Sequence, residues 1–177
     1  MKILLGCLLA ALAAAPAERP RLVRESLAAL ERIFDSRLER ANIEDPFLLL
    51  GTTRGVYLDG YGAVLTAEVN LVTGPAVTPF RPALSKEEIA RLNQKKQQRL
   101  PALRQLMREL LLDAAASLEA VPPAEQIVLA VSLFYYSWED RNGLPGQILM
   151  QASRQQLLRL RQQGAAAAAS AVLLKEY

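Results

Sequence analysis

Apolar positions along the chain recur at helical spacing in three stretches and at strand spacing in four, and the order of these periods predicts the fold. From about Arg21 to Asn42, Leu22, Val23, Leu27, Leu30, Ile33, Phe34 and Leu38 form one stripe with charged residues between them, the pattern of an amphipathic helix. After Asp45-Pro46 the period shortens. Two extended runs, Phe47 to Leu58 and Ala63 to Val72, flank Asp59-Gly60-Tyr61-Gly62, and Asp-Gly between β-prone runs predicts a hairpin. With a two-residue turn, even positions of the first run share a face with odd positions of the second. Leu50, Val56 and Leu58 then join Leu65, Val69 and Leu71 on a core face interrupted by Arg54. Gly51, Thr53, Gly55 and Tyr57 join Thr66, Glu68 and Asn70 on a polar face.

A proline-rich loop, Thr73 to Pro82, precedes Ser85, which has Glu88 three residues on and so carries the signature of a capping box. The helical pattern continues to about Ala120, with a kink or a division expected at Pro101. Leu103, Leu106, Met107, Leu110, Leu111, Ala114 and Leu118 give this helix a broad stripe suited to lying on a sheet. Pro122-Pro123 ends it. Gln126 to Trp138 reads as a strand buried on both sides, Asp140 to Gly143 as a turn, Gly146 to Ala152 as a fourth strand, and Ser153 to Gln163 as a third helix stopped by Gly164. The alanine-rich tail, 165–177, is expected to be a terminal helix or a frayed end.

The order αββαββα predicts an α+β two-layer sandwich: a largely antiparallel four-stranded sheet made of two hairpins, with helices on one face. One domain, 18–164, accounts for it, since a chain of this size buries roughly 70% of its unfolded surface without disulfides or a structural metal.

Residues 1–17 stand apart from this pattern. Met1-Lys2, the apolar run Ile3 to Ala15 and the small-residue end Ala15-Pro16-Ala17 predict a secretory signal peptide cleaved near Ala17, which places the mature chain in the periplasm or outside the cell. The run is too short to span a bilayer, which takes about 20 residues, so no transmembrane segment is expected in the mature chain. Leu4-Leu5-Gly6-Cys7 also has the look of a lipoprotein box, yet only six residues precede Cys7, and lipid anchoring there is the weaker reading. A buried N-terminal helix is the third.

Composition then narrows the chemistry. The chain contains no histidine, and its one cysteine is Cys7, inside the leader. Histidine-dependent triads, zinc sites built on histidine or cysteine, and thiol catalysis are excluded from the mature chain. No cofactor or metal site is expected. Loss of Lys2 takes the formal charge from +3 to +2, and basic and acidic residues are interspersed, which argues against nucleic acid as a partner.

Four groups of residues remain as candidates. Tyr57, Asp59 and Tyr61 surround the hairpin turn and form a candidate recognition tip, although cross-strand packing explains the tyrosines equally well. Phe134-Tyr135-Tyr136-Ser137-Trp138 is the densest aromatic stretch, and strand alternation sends Phe134, Tyr136 and Trp138 one way and Tyr135 the other. Tyr136 and Trp138 are its candidate ligand-binding side chains. Arg54 is expected to find a carboxylate such as Asp113 or Glu119, because a buried arginine without a partner is costly. Glu68, Glu139 and Asp140 are the candidate acid and base of a glycoside-cleaving site, which needs two carboxyl groups roughly 5 to 10 Å apart.

This inventory favours an exported, non-enzymatic binding or assembly module of the bacterial envelope, with an envelope protein or a glycan as partner. The alternative is a carboxylate-dependent hydrolase of cell-wall or extracellular polysaccharide. A lipid-associated role rests on Val172 to Leu174 alone.

Overall fold

The computed structural model describes residues 19–41, 46–75, 84–163 and 171–177, so the leader lies outside the described residues. Three helices and a mixed six-stranded sheet make an α+β fold: α1 (Arg19–Arg40), β1 (Leu48–Leu49), β2 (Arg54–Leu58), β3 (Gly62–Asn70), α2 (Lys86–Ser117), β4 (Gln126–Leu133), β5 (Gln147–Ser153), α3 (Arg154–Gln163) and β6 (Leu173–Glu176). The strands run in the order β1-β3-β4-β5-β6, with β2 on the same edge of β3 as β1.

Three features differ from the four-stranded antiparallel expectation. The central pair, β3 and β4, is parallel, because α2 returns the chain across the sheet before β4 begins. The run before the hairpin is broken between Leu49 and Arg54 into two short strands. The tail, expected as a helix or a frayed end, supplies β6, which pairs antiparallel with β5 from Gln151↔Leu173 to Ile148↔Glu176. Helix α2 also runs unbroken through Pro101. The proline is exposed, and buried Leu100, Leu103, Leu106 and Met107 on either side hold the helix against the core despite the lost hydrogen bond.

The hairpin exists, but its register is the opposite of the one a two-residue turn implies. Leu58 pairs with Gly62 around a three-residue loop, and the Tyr61 N–H donates to the Leu58 carbonyl at 3.0 Å. Gly60, at φ 78°, supplies the left-handed residue of this turn. One extra loop residue exchanges the two faces of β2. Arg54, Val56 and Leu58 therefore share a face with Val64 and Thr66, turned away from the helices, and Thr53, Gly55 and Tyr57 face them.

All three helices cover one side of the sheet. Ala63, Leu65, Ala67 and Val69 of β3, Ile127, Leu129, Val131 and Leu133 of β4, and Ile148, Met150 and Ala152 of β5 meet Val23, Leu27, Leu30, Phe34 and Leu38 of α1, the α2 stripe, and Leu157 and Leu160 of α3. Ile33, part of the expected α1 stripe, is exposed. The Ser85 capping box forms as expected: the Glu88 N–H donates to Ser85 Oγ at 3.2 Å, and the Ser85 N–H to Glu88 Oε2 at 3.0 Å.

Helix α1 also seals the β2 edge. Glu31 and Asp35, one turn apart, accept from the outward N–H groups of Gly55 and Thr53, both at 2.8 Å. Burial pushes the Glu31 carboxyl up, but the Arg24 guanidinium and the Gly55 N–H outweigh it and hold the group below the usual carboxylate range.

Gly62 sets the fit of the central pair. It sits at φ 133°, where a Cβ would lie 1.9 Å from the Gln126 carbonyl oxygen, so only glycine allows β3 and β4 to meet here. Gly62→Ala should cost about 3 kcal/mol or more, whereas Gly60→Ala, whose Cβ meets nothing within 4 Å, should cost about 1 kcal/mol of backbone strain. Urea midpoints at unchanged slope measure both.

Candidate binding surfaces

Two regions hold most of the candidate residues: the connection between β4 and β5, and the sheet face turned away from the helices. The connection, 134–146, leaves β4 in extended backbone, with the Phe134 N–H donating to the Val69 carbonyl at 2.9 Å. Its side chains alternate as strand geometry requires even though the strand itself ends at Leu133. Phe134 and Tyr136 meet edge to face at 5.0 Å and 85°, and Tyr136 stacks on Trp138 at 5.4 Å and 6°. Tyr135 goes the other way, donating its hydroxyl to the Pro145 carbonyl at 2.8 Å.

Beneath Tyr135 lies an ion pair that the sequence reading did not anticipate. Lys96 of α2 bonds Glu139 with both side chains buried, 0% and 2% exposed, and the Lys96 ammonium lies 4.7 Å from the Tyr135 ring centroid. Glu139 also accepts from the Tyr136 N–H at 3.1 Å, so one carboxylate ties the aromatic segment to the core helix. Asn93 and Gln97, neighbours of Lys96 on α2, donate to the carbonyls of Asp140 and Asn142 at 2.8 to 3.1 Å. A signal for the buried lysine, though not for its partner, was present: Lys96 stands at a core position between Leu92 and Leu100, where the α2 stripe calls for an apolar residue.

Burial pushes the Lys96 ammonium below its ordinary range, and the Glu139 carboxylate restores part of the loss. Tyr135 moves the other way. Burial, reinforced by the Glu139 charge and opposed by Arg141, raises its hydroxyl to about 12.

The stack leaves little of Trp138 for a ligand. One ring face is covered by Tyr136, and Trp138 also packs toward Gly74, where a Cβ would lie 3.2 Å from its ring. Tyr136 is the exposed member of the trio. At the hairpin tip the tyrosines diverge. Tyr57 faces the helices and donates its hydroxyl to Glu125 Oε2 at 2.9 Å, whereas Tyr61 and Asp59 project into solvent.

Arg54 is exposed and does not reach Asp113, which pairs with Arg37 at 2.9 Å; Glu119 is itself exposed. Arg54 instead lines a shallow groove of about 250 Å³ with Thr66, Glu68 and Ser132. The three carboxylates do not gather in one cleft. Glu68 lies on the sheet face away from the helices, Glu139 is buried against α2 on the helix side, and Asp140 accepts from the Asn142 N–H at 3.0 Å.

The face away from the helices is built in rungs by the strand register. Val56, Val64, Val128, Gln151 and Leu173 form one rung, and Arg54, Thr66, Ala130, Leu149 and Lys175 the next. Val128 at its centre is 3% exposed, while Val56, Leu58 and Leu173 toward the margins are 50%, 46% and 45% exposed. Among the described residues, no helix is long and apolar enough to cross a membrane.

No family model, no curated protein and no solved structure matches the chain.

Two measurements probe the buried pair and its neighbour. Lys96→Met should cost about 3–5 kcal/mol by leaving Glu139 buried without its cation, and adding Glu139→Gln should recover most of that loss, as read by urea denaturation in a double-mutant cycle. Because the folded pKa of Tyr135 lies above its unfolded value of 10.0, its contribution to stability is complete below pH 10 and is lost as pH rises toward 12. Ultraviolet titration should show a tyrosinate forming near pH 12, and Tyr135→Phe should remove it along with the matching part of the decline in stability.

Proposed function

We propose that this protein is an exported, non-enzymatic binding module of the bacterial envelope that engages its partner through the sheet face turned away from the helices. The observation that carries the reading is the exposure of Val56, Leu58 and Leu173 on that face, beside the charged side chains of Arg54, Glu68 and Lys175. Exposed aliphatic side chains at both margins of a sheet face that also carries charge suit association with a partner.

The chemistry of the chain supports binding over catalysis. The mature chain has neither imidazole nor thiol, Glu139 is committed to Lys96, and Asp140 is committed to its own turn. Export rests on the leader pattern of residues 1–17.

A photo-crosslinking residue placed at position 56 or 173, in cells that produce the protein, should yield discrete adducts, while the same residue at the exposed helix position Gln94 yields none. Adducts absent from the sheet face, or equally abundant at Gln94, would overturn the reading. The intact mass of the mature chain tests export separately, with loss of residues 1–17 as the expected result.

A further inference from the structure

We propose that the groove between the end of α1 and the middle of α2 is a binding site for a single-chain amphiphile with an anionic head, of the fatty-acid class. This site is separate from the sheet face and does not depend on the function proposed for it. The groove encloses about 570 Å³, within the roughly 300–1,000 Å³ typical of small-molecule sites and far larger than an inorganic anion requires.

Its lining mixes charged, polar and apolar side chains. Arg37, Arg40 and Arg99 line it beside the carboxylate of Glu109, and Ala102 and Leu106 supply an apolar wall. The three arginines are not equivalent. Arg37 is committed to Glu109 and Asp113, each at 2.9 Å, which joins α1 to α2. The Arg99 guanidinium is engaged over the Phe47 ring at 4.5 Å. Arg40 is exposed at the groove mouth, and among the described residues it makes no hydrogen bond or ion pair.

Arginines in the last turn of α1 favour the helix dipole, and Arg37 with its two carboxylates is explained by that and by its ion pairs. The same account does not explain a cavity of this size beside Arg40. A carboxylate head on the Arg40 fork, with an alkyl body along Ala102 and Leu106, uses both the charge and the wall. An uncharged amphiphile would lose the first contact, and a bare anion the second.

Calorimetric titration of the full-length mature protein with sodium decanoate, with decanol as the uncharged control, tests the site. Saturable binding of one decanoate per chain is expected, about tenfold weaker in Arg40→Gln and about tenfold weaker for decanol. Ala102→Trp, a substitution at an exposed helix position that fills the groove without entering the core, should abolish binding while leaving the circular dichroism spectrum unchanged. Absence of saturable decanoate binding would overturn the proposal. So would equal affinity in Arg40→Gln, or binding retained in Ala102→Trp, which would put the alkyl chain elsewhere, on the sheet face for example. Binding of vesicles containing anionic lipid without binding of free decanoate would show a membrane surface effect in place of a site, and would overturn it as well.

Discussion

The parallel pairing of β3 with β4 is the constraint on which the rest of the structure rests. It is the longest register in the sheet, from Gly62↔Gln126 to Val69↔Leu133, and it joins the strands contributed before α2 to those contributed after it. At its start the chains meet more closely than any side chain permits, and the Gln126 N–H donates to the Tyr61 carbonyl at 2.8 Å. Every later choice follows from that alignment. It decides that odd residues of both strands meet the helices, and through β3 it decides which side of β2 is buried.

The second organising contact works at the far end of the same strands. A lysine and a glutamate removed from water together are costly unless each is well paired, and here the pair is supplemented by an aromatic ring over the cation and a backbone N–H on the anion. The result is a long connection tied directly to the core helix α2. The aromatic trio on its outer side is thereby fixed as a preformed surface with Tyr136 at its crest.

Much of this was legible in the residue pattern, and the failures have specific causes. Helix positions followed from spacing, the start of α2 from Ser85 and Glu88, and the alternation of Phe134, Tyr135, Tyr136 and Trp138 from strand geometry. The hairpin was legible as a hairpin but not in its register, because Asp59-Gly60 suits two- and three-residue loops alike and periodicity is blind to one added residue. The long helix between β3 and β4 is the usual crossover of a parallel pair, but the Asp59-Gly60 and Asn142-Gly143 turns point instead to two separate antiparallel hairpins. Strand β6 was hidden by the low complexity of the tail before it, since its four residues acquire strand character only by pairing with β5. The sites were less legible than the fold: Arg54 and Glu68 share a groove, but sequence distance gave no hint that Glu139 would be consumed by Lys96.

The carboxylates of Glu31 and Asp35 have a consequence for assembly that reaches beyond α1. By occupying the outward N–H groups of Thr53 and Gly55, they block that stretch of one margin, while the outer backbone of β6, at the opposite margin, has no strand beside it among the described residues. Two chains meeting strand to strand at β6 would keep these blocked stretches at their outer margins, which disfavours further growth there.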